Sequence, residues 1–366
     1  SDWSSDVCSS DLLRFPTIYE NGSCVTAADY DKDGDMDLFV GSRMISGKYG
    51  LNPSSNLYIN DGTGAFKNQS KRYMPEVTEL GMVTDAEWAD VNKDGYPDLV
   101  VSQDWGGILV FKNERGRKLV KQEMVIGSEG LWGCLKPADI DGDGDVDFIA
   151  GNMGLNSKIK ASTANPAFLQ TGDFDKNGVI EQIISCVTED GKTYPMVLKG
   201  EMQRALPMIK KNFIKYKDYA NKSMEELFTN EQREGSLIKQ VTTTESSFLI
   251  NDGKGNFTLT ALPYQAQFSP IRAIETGDFD ADGHLDILLA GNFFDSLPEW
   301  GRFDANYGLM LQGLGKGKFK VVLSKDSGFM TRGQVRKMAA VKSVGKSIKW
   351  VLAKNNDPAQ VFSLKK

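Results

Sequence analysis

The sequence predicts an all-β chain assembled from repeated four-stranded units, and three observations carry that prediction. An acidic motif recurs five times along the 366 residues. The segments flanking each copy are short, rich in β-branched residues and bounded by glycine or polar turns, which is the pattern of strands. A glycine-rich hairpin signature follows several of the copies.

The five copies are AADYDKDGDMDLFVG from Ala27, ADVNKDGYPDLVVS from Ala89, ADIDGDGDVDFIAG from Ala138, GDFDKNGVIEQIIS from Gly172 and GDFDADGHLDILLAG from Gly277. Each has oxygen-bearing side chains at loop positions 1, 3 and 5, glycine at 6 and an acid at 9. Alternating acids in a tight turn aim their carboxylates into one small volume, and Ca2+ takes about six to eight hard oxygen ligands. The glycine permits the sharp backbone turn. The predicted ligands of the first loop are Asp29, Asp31, Asp33, the position-7 carbonyl of Asp35, and Asp37. Those of the second are Asp90, Asn92, Asp94, the carbonyl of Tyr96, and Asp98; those of the third are Asp139, Asp141, Asp143, the carbonyl of Asp145, and Asp147. The fourth offers Asp173, Asp175, Asn177, the carbonyl of Val179, and Glu181, and the fifth Asp278, Asp280, Asp282, the carbonyl of His284, and Asp286. One neutral ligand and a longer final acid predict weaker binding in the fourth. Two carboxylates ~4 Å apart repel by roughly 4 kcal/mol at an effective dielectric of 20, so ordinary solvated turns would not gather four of them.

These loops are not EF-hands, which need flanking helices and a glutamate at position 12. That position holds Val40, Val101, Ala150, Ile184 and Leu289. The hairpin signatures NLYINDGTGAF from Asn56 and FLINDGKGNF from Phe248, with a looser echo at LMLQGLGKGKF from Leu309, supply a second strand pair. The unit is then strand, acidic loop, strand, variable loop, strand, glycine-rich turn, strand, which is a β-propeller blade. Six blades are visible: five with acidic loops and a sixth, without acids, at Val335 to Asp357. A helical insertion is expected at about 199–230, where Leu206, Ile209, Phe213 and Tyr216 fall at helical spacing and Ser223-x-x-Glu226 reads as a capping box.

Composition narrows the function. The net charge of −6 disfavours a nucleic-acid partner, and no apolar run is long enough for a membrane helix. The single histidine, His284, excludes zinc sites that need two or more. Cys24, Cys134 and Cys186, which lack CxxC spacing, are expected to be buried thiols. Residues 1–12, SDWSSDVCSSDL, have no periodicity and read as the translation of a sequencing adapter, so the natural chain is expected to extend upstream and the propeller to occupy residues 13–366.

Through its five DxDxDGxxD-like loops the chain resembles, over roughly residues 20 to 362, the FG-GAP or VCBS-type repeats of integrin α-chain propellers and of large bacterial surface proteins. GLNSKIKAS from Gly154, the Leu206 to Phe228 insertion and the terminal LAKNNDPAQVF resemble the C-terminal region of such proteins that also carry an ASPIC/UnbV domain. The resemblance implies seven blades in the full protein, bound Ca2+, and an extracellular or cell-surface location, for a bacterial protein at the outer membrane.

Hairpin alternation puts the acidic loops and glycine-rich turns on one face and the variable loops on the other. A glycan or surface-protein ligand is expected on the variable-loop face. Trp105, and Trp300 with Arg302, are candidate sugar-stacking groups, and Arg43 and Lys158 candidate polar contacts. Trp88, Trp132 and Trp350 are assigned to the core. Seven Lys or Arg between Lys199 and Lys222 form a basic patch, a solvated helix face or a lid for an acidic partner. The reading that fits best is a calcium-loaded, non-catalytic binding or adhesion scaffold. Two alternatives stay open: a polysaccharide lyase or hydrolase using Glu129, Asp295, Glu299 or Asp304, and a purely structural domain of a surface assembly. A close acid pair beside Arg or Lys on the variable-loop face would favour the enzyme.

Overall fold

Six antiparallel sheets, five in succession and one inserted, make up the computed structural model, which describes residues 20–296, 298–342 and 348–364. The N-terminal segment 1–12 lies outside the described residues. The first blade comprises β1 (Asn21–Ala28), β2 (Asp37–Met44), β3 (Asn56–Asn60) and β4 (Phe66–Asn68). The second comprises β5 (Met82–Ala89), β6 (Asp98–Gly106), β7 (Leu109–Asn113) and β8 (Leu119–Lys121), with β9 (Gly130–Leu131) added beside β6. The third begins with β10 (Cys134–Ala138) and β11 (Asp147–Gly151). Its next strand comes only after residues 152–246.

That interruption is a sheet of its own. Strands β12 (Ala167–Gly172), β13 (Glu181–Val187), β14 (Thr193–Pro195) and β15 (Leu237–Val241) pair in the order β14-β13-β12-β15. Then β16 (Ser247–Asn251) and β17 (Phe257–Ala261) complete the third blade. A further blade follows as β18 (Ile271–Gly277), β19 (Asp286–Gly291), β20 (Leu309–Gly313) and β21 (Phe319–Leu323), and the last has three strands, β22 (Gln334–Lys342), β23 (Ile348–Asn355) and β24 (Gln360–Ser363). All-β architecture with small helices is as the sequence predicts. The expectation that every acidic motif marks a blade in succession is corrected: the fourth motif joins β12 to β13 in a sheet inserted into the variable loop of the third blade. The hairpin signature from Phe248 closes that third blade.

Apolar side chains seal each pair of neighbouring blades. Phe39 and Leu57 meet Leu99 and Phe111 between the first and second; Val100 and Val110 meet Phe148 and Leu249 between the second and third. Ile149 and Phe248 meet Ile287 and Leu311 next, and Leu288 and Met310 meet Val335 and Leu352 last. The second strands β6, β11 and β19 bury both faces because a sheet packs on either side, which is why β6 has eight consecutive buried residues, Asp98 to Trp105. The innermost strands β1, β5, β10, β18 and β22 lie side by side in that order. Ser23 donates to the Val83 carbonyl at 2.7 Å, the Leu135 amide to Asp85 at 2.9 Å, and the Ala340 amide to Glu275 at 3.1 Å.

The expected helical insertion is present as five short helices between β14 and β15, from Lys199–Ala205 to Asn230–Arg233. Pro207 opens the second of them, where its missing N–H costs nothing. Ser223 and Glu226 form the expected capping box. Leu206, Ile209, Tyr219 and Phe228 pack onto Phe174 and Ile183 of the inserted sheet. Tyr216, placed on the same stripe from its spacing, is exposed and instead lies under the Lys199 ammonium, because the chain breaks helix at Phe213 and restarts at Tyr216.

Trp105 is corrected from ligand platform to core. It is 4% exposed, packed with Met82, Leu131, Leu169 and Val241 between the second blade and the inserted sheet. It sits on the bulge between β6 and β9 with φ of 53°, a conformation that a bulky residue adopts only when its surroundings enforce it. Trp132 and Trp350 are core as assigned, and Trp88 is half-buried against the first two blades. Truncating Trp105 to Ala should cost about 3 to 5 kcal/mol of stability, read as a lower denaturant midpoint; an unchanged midpoint would show that the inserted sheet does not depend on this wedge.

Candidate metal loops and the variable-loop face

Each acidic loop is a hairpin turn whose geometry repeats. Glycine at position 6 has positive φ in all five loops, from 83° at Gly144 to 99° at Gly34. So does position 4, which is glycine only in the third loop. Lys32, Lys93, Lys176 and Ala281 hold φ values of 57 to 64° there, a conformation that favours glycine. Two left-handed residues two apart fold the loop back on itself, so position 1 can reach round to cap position 6. Gly34, Gly95, Gly144, Gly178 and Gly283 all donate their amides to the position-1 aspartate, at 2.8 to 3.2 Å.

Carboxylate oxygens of Asp29, Asp31 and Asp33 converge within 4.8 Å, as do those of Asp139, Asp141 and Asp147, of Asp173, Asp175 and Glu181, and of Asp278, Asp280 and Asp282. The second loop, with Asn92 in place of an acid, gathers no such trio among the described residues. Burial and then repulsion from the next acid raise Asp31 and Asp141 above the ordinary carboxylate range. Four carboxylate oxygens of the first and fourth loops are buried without any hydrogen-bond donor: Asp29 Oδ1, Asp31 Oδ1, Asp175 Oδ1 and Glu181 Oε1. Sealed, unpaired carboxylate oxygens are costly unless a cation meets them. Hard oxygen donors in this pattern fit Ca2+. The fourth loop, read from the sequence as the weakest, holds two of the four orphaned oxygens. His284 is exposed at position 7 and donates its amide to Asp282, so its side chain takes no part in the cluster.

The acid at position 9 has a second task that spacing did not reveal. Asp37, Asp98, Asp147 and Asp286 are buried, and each accepts from the amide of loop position 2 with one oxygen and from the third strand with the other. The third-strand donors are the amides of Asn60, Asn113, Asn251 and Gly313, at 2.7 to 2.9 Å. Burial pushes Asp37, Asp98 and Asp147 up to about 6 despite those donors. The asparagine side chains then cross to the preceding blade: Asn113 donates to the Tyr30 carbonyl and Asn251 to the Val91 carbonyl, both at 2.9 Å. Gly116 of the next turn lies so close to Asp31 that a Cβ would come within 2.6 Å of its Cα. Acidic loops and glycine-rich turns therefore share one face, as alternation requires.

Of the residues proposed for the opposite face, Arg43 is held by buried Asp104 at 2.6 Å, which also accepts from the Tyr49 hydroxyl at 2.8 Å. Arg302 is exposed above the Phe294 ring, and Trp300 is half-buried against the inserted sheet's core. Exposed Lys158 donates to the Glu299 carbonyl. Glu129 ties β9 to the inserted sheet through the amides of Thr242 and Thr243. The Glu299 and Glu201 carboxyls are neighbours whose mutual interaction raises Glu201 and lowers Glu299, with Arg204 and Lys158 near them.

This is a propeller-type scaffold of antiparallel blades with acidic loops that can hold metal ions. Two FG-GAP-like repeats are matched in it, at residues 45–101 and 90–150. No curated protein sequence matches the chain. Among solved structures it is similar to the V. cholerae biofilm matrix protein Bap1, at 11% identity over 94% of this chain and 77% of that one, with a TM-score of 0.32. It is also similar to BBS1N in complex with ARL6DN, at 10% identity over 96% of this chain and 93% of that one, with a TM-score of 0.31. No helix among the described residues is long and apolar enough to cross a membrane.

Replacing Asn251 by Ala removes the donors to the Val91 and Val146 carbonyls. The expected cost is about 1 to 3 kcal/mol, measured by chemical unfolding. A variant as stable as the parent would show that the asparagine does not latch the blades.

Proposed function

We propose that this chain is a calcium-stabilised extracellular binding scaffold: Ca2+ rigidifies the turn face, and the variable-loop face carries a glycan or protein ligand. The observation that supports the metal reading most is the set of orphaned buried oxygens in the first and fourth loops. The FG-GAP-like repeats support a binding or adhesion role. The Glu201–Glu299 pair is the one feature that favours a hydrolase, being a close acid pair beside Lys158 and Arg204. The FG-GAP-like repeats weigh toward a binding role, so the non-catalytic reading is preferred.

Metal that binds only the folded chain stabilises it by mass action. Chelator should lower the melting temperature, Ca2+ should restore it at about 10⁻⁴ to 10⁻³ M, and Mg2+ should restore little. Asp282→Ala should weaken the Ca2+ response and Asn177→Asp strengthen it, both read by calorimetry. A melting curve indifferent to chelator would overturn the calcium reading.

A further inference from the structure

A cavity of about 680 Å³ opens where the innermost strands meet at their variable-loop ends. Five blades contribute to its wall, and three of the contributions are arginines: Arg43 from the first, Arg272 from β18 and Arg336 from β22. Arg43 is neutralised by Asp104. Arg336 lies 3.6 Å from Asp295, which also lines the cavity. Arg272 forms no ion pair and no hydrogen bond among the described residues, the nearby Asp104 being engaged by Arg43, and its Nε is sealed from solvent with nothing to donate to. Burial and the neighbouring Arg43 depress its affinity for a proton.

The fold makes room for this unpaired cation. Arg272 lies along Gly133, where a Cβ would fall 2.3 Å from Nη1 and 2.8 Å from Cδ, so any other residue at 133 would displace the guanidinium. A guanidinium whose Nε is sealed without an acceptor costs stability. A planar guanidinium is matched by a planar carboxylate through two parallel hydrogen bonds. The rings of Tyr49 and Phe293 add flat apolar surface to the same wall, and the volume is in the range of sites that hold small ligands.

We infer that the central cavity is a carboxylate-binding site in which Arg272, flanked by Arg43 and Arg336, takes the acid group of a sugar ring, a uronate. The inference rests on the binding-scaffold reading and gives it a place and a ligand class. The uronate can be a free sugar acid or one unit of an acidic polysaccharide; both present the same carboxylate.

The test is calorimetric titration of the Ca2+-loaded chain, at fixed ionic strength, with galacturonate, glucuronate, tetragalacturonate and the uncharged galactose tetramer. Saturable uronate binding is expected, with the uncharged tetramer at least tenfold weaker. Equal affinity for monomer and tetramer would assign the free acid, and a tighter tetramer the polysaccharide. Arg272→Gln should weaken uronate binding tenfold or more, with Arg272→Lys between, and should not lower the melting temperature of the ligand-free protein. Arg336→Gln provides a second reading, expected to weaken binding severalfold, should the first variant fail to fold. Uronate affinity unchanged in both variants would overturn the site, as would absence of any uronate binding. Binding of uncharged glycan alone, insensitive to Arg272→Gln, would also overturn it while leaving the scaffold reading intact.

Discussion

The buried carboxylate at position 9 of the acidic loops is the constraint on which the blades depend. A fully desolvated aspartate would be strongly disfavoured unless its oxygens were satisfied. In four blades both oxygens are, by one amide from the loop and one from the third strand. Those two bonds fix the loop relative to a strand that the hairpin alone would leave free. They also orient the third-strand asparagine, whose side chain in two blades reaches the preceding loop. Loop geometry and blade-to-blade packing are thus one arrangement, so a metal ion that orders the loops would act on the whole scaffold.

Where the staple is incomplete, its chemistry changes in a consistent direction. Gly313 stands in the fourth strand-bearing turn where asparagine stands elsewhere, so its amide bonds Asp286 while no side chain crosses to the third blade. In the inserted sheet Glu181 accepts only the Phe174 amide, and its other oxygen is left over. That leftover oxygen makes the fourth loop the one whose position-9 acid is most available to a cation. The longer side chain that reads from sequence as a weakness reaches the Asp173 and Asp175 pair.

The inserted sheet separates two tasks. It docks through β15 on β6 and β9 and buries Trp105, while Gly50 of the first blade comes so close to Thr171 that a Cβ would fall 2.0 Å from its Oγ1. The basic segment from Lys199 to Lys222 rides on this sheet, and Lys199 itself is buried, donating to the Ile214 carbonyl. Part of that charge is therefore structural. The unmatched charge on the variable-loop face is instead Arg272, in the cavity where the innermost strands converge.

Local chemistry alone determined the strands, the acidic turns and their sharing of a face with the glycine-rich turns. Each is written in consecutive residues: alternating acids, a glycine at position 6, an Asn-Asp-Gly hairpin. The inserted sheet does leave a trace in the sequence, since no hairpin signature separates the motif at Asp139 from the motif at Asp173, whereas one follows at Asn251. The burial of Trp105, the second role of Asp147 and the convergence of Arg43, Arg272 and Arg336 left none. These depend on contacts between residues up to hundreds of positions apart, and a side chain's periodicity records which face it takes but not what the next blade places against it. Only the tertiary structure decides that a tryptophan on a variable loop becomes a wedge and that an arginine at a strand end is left without a partner.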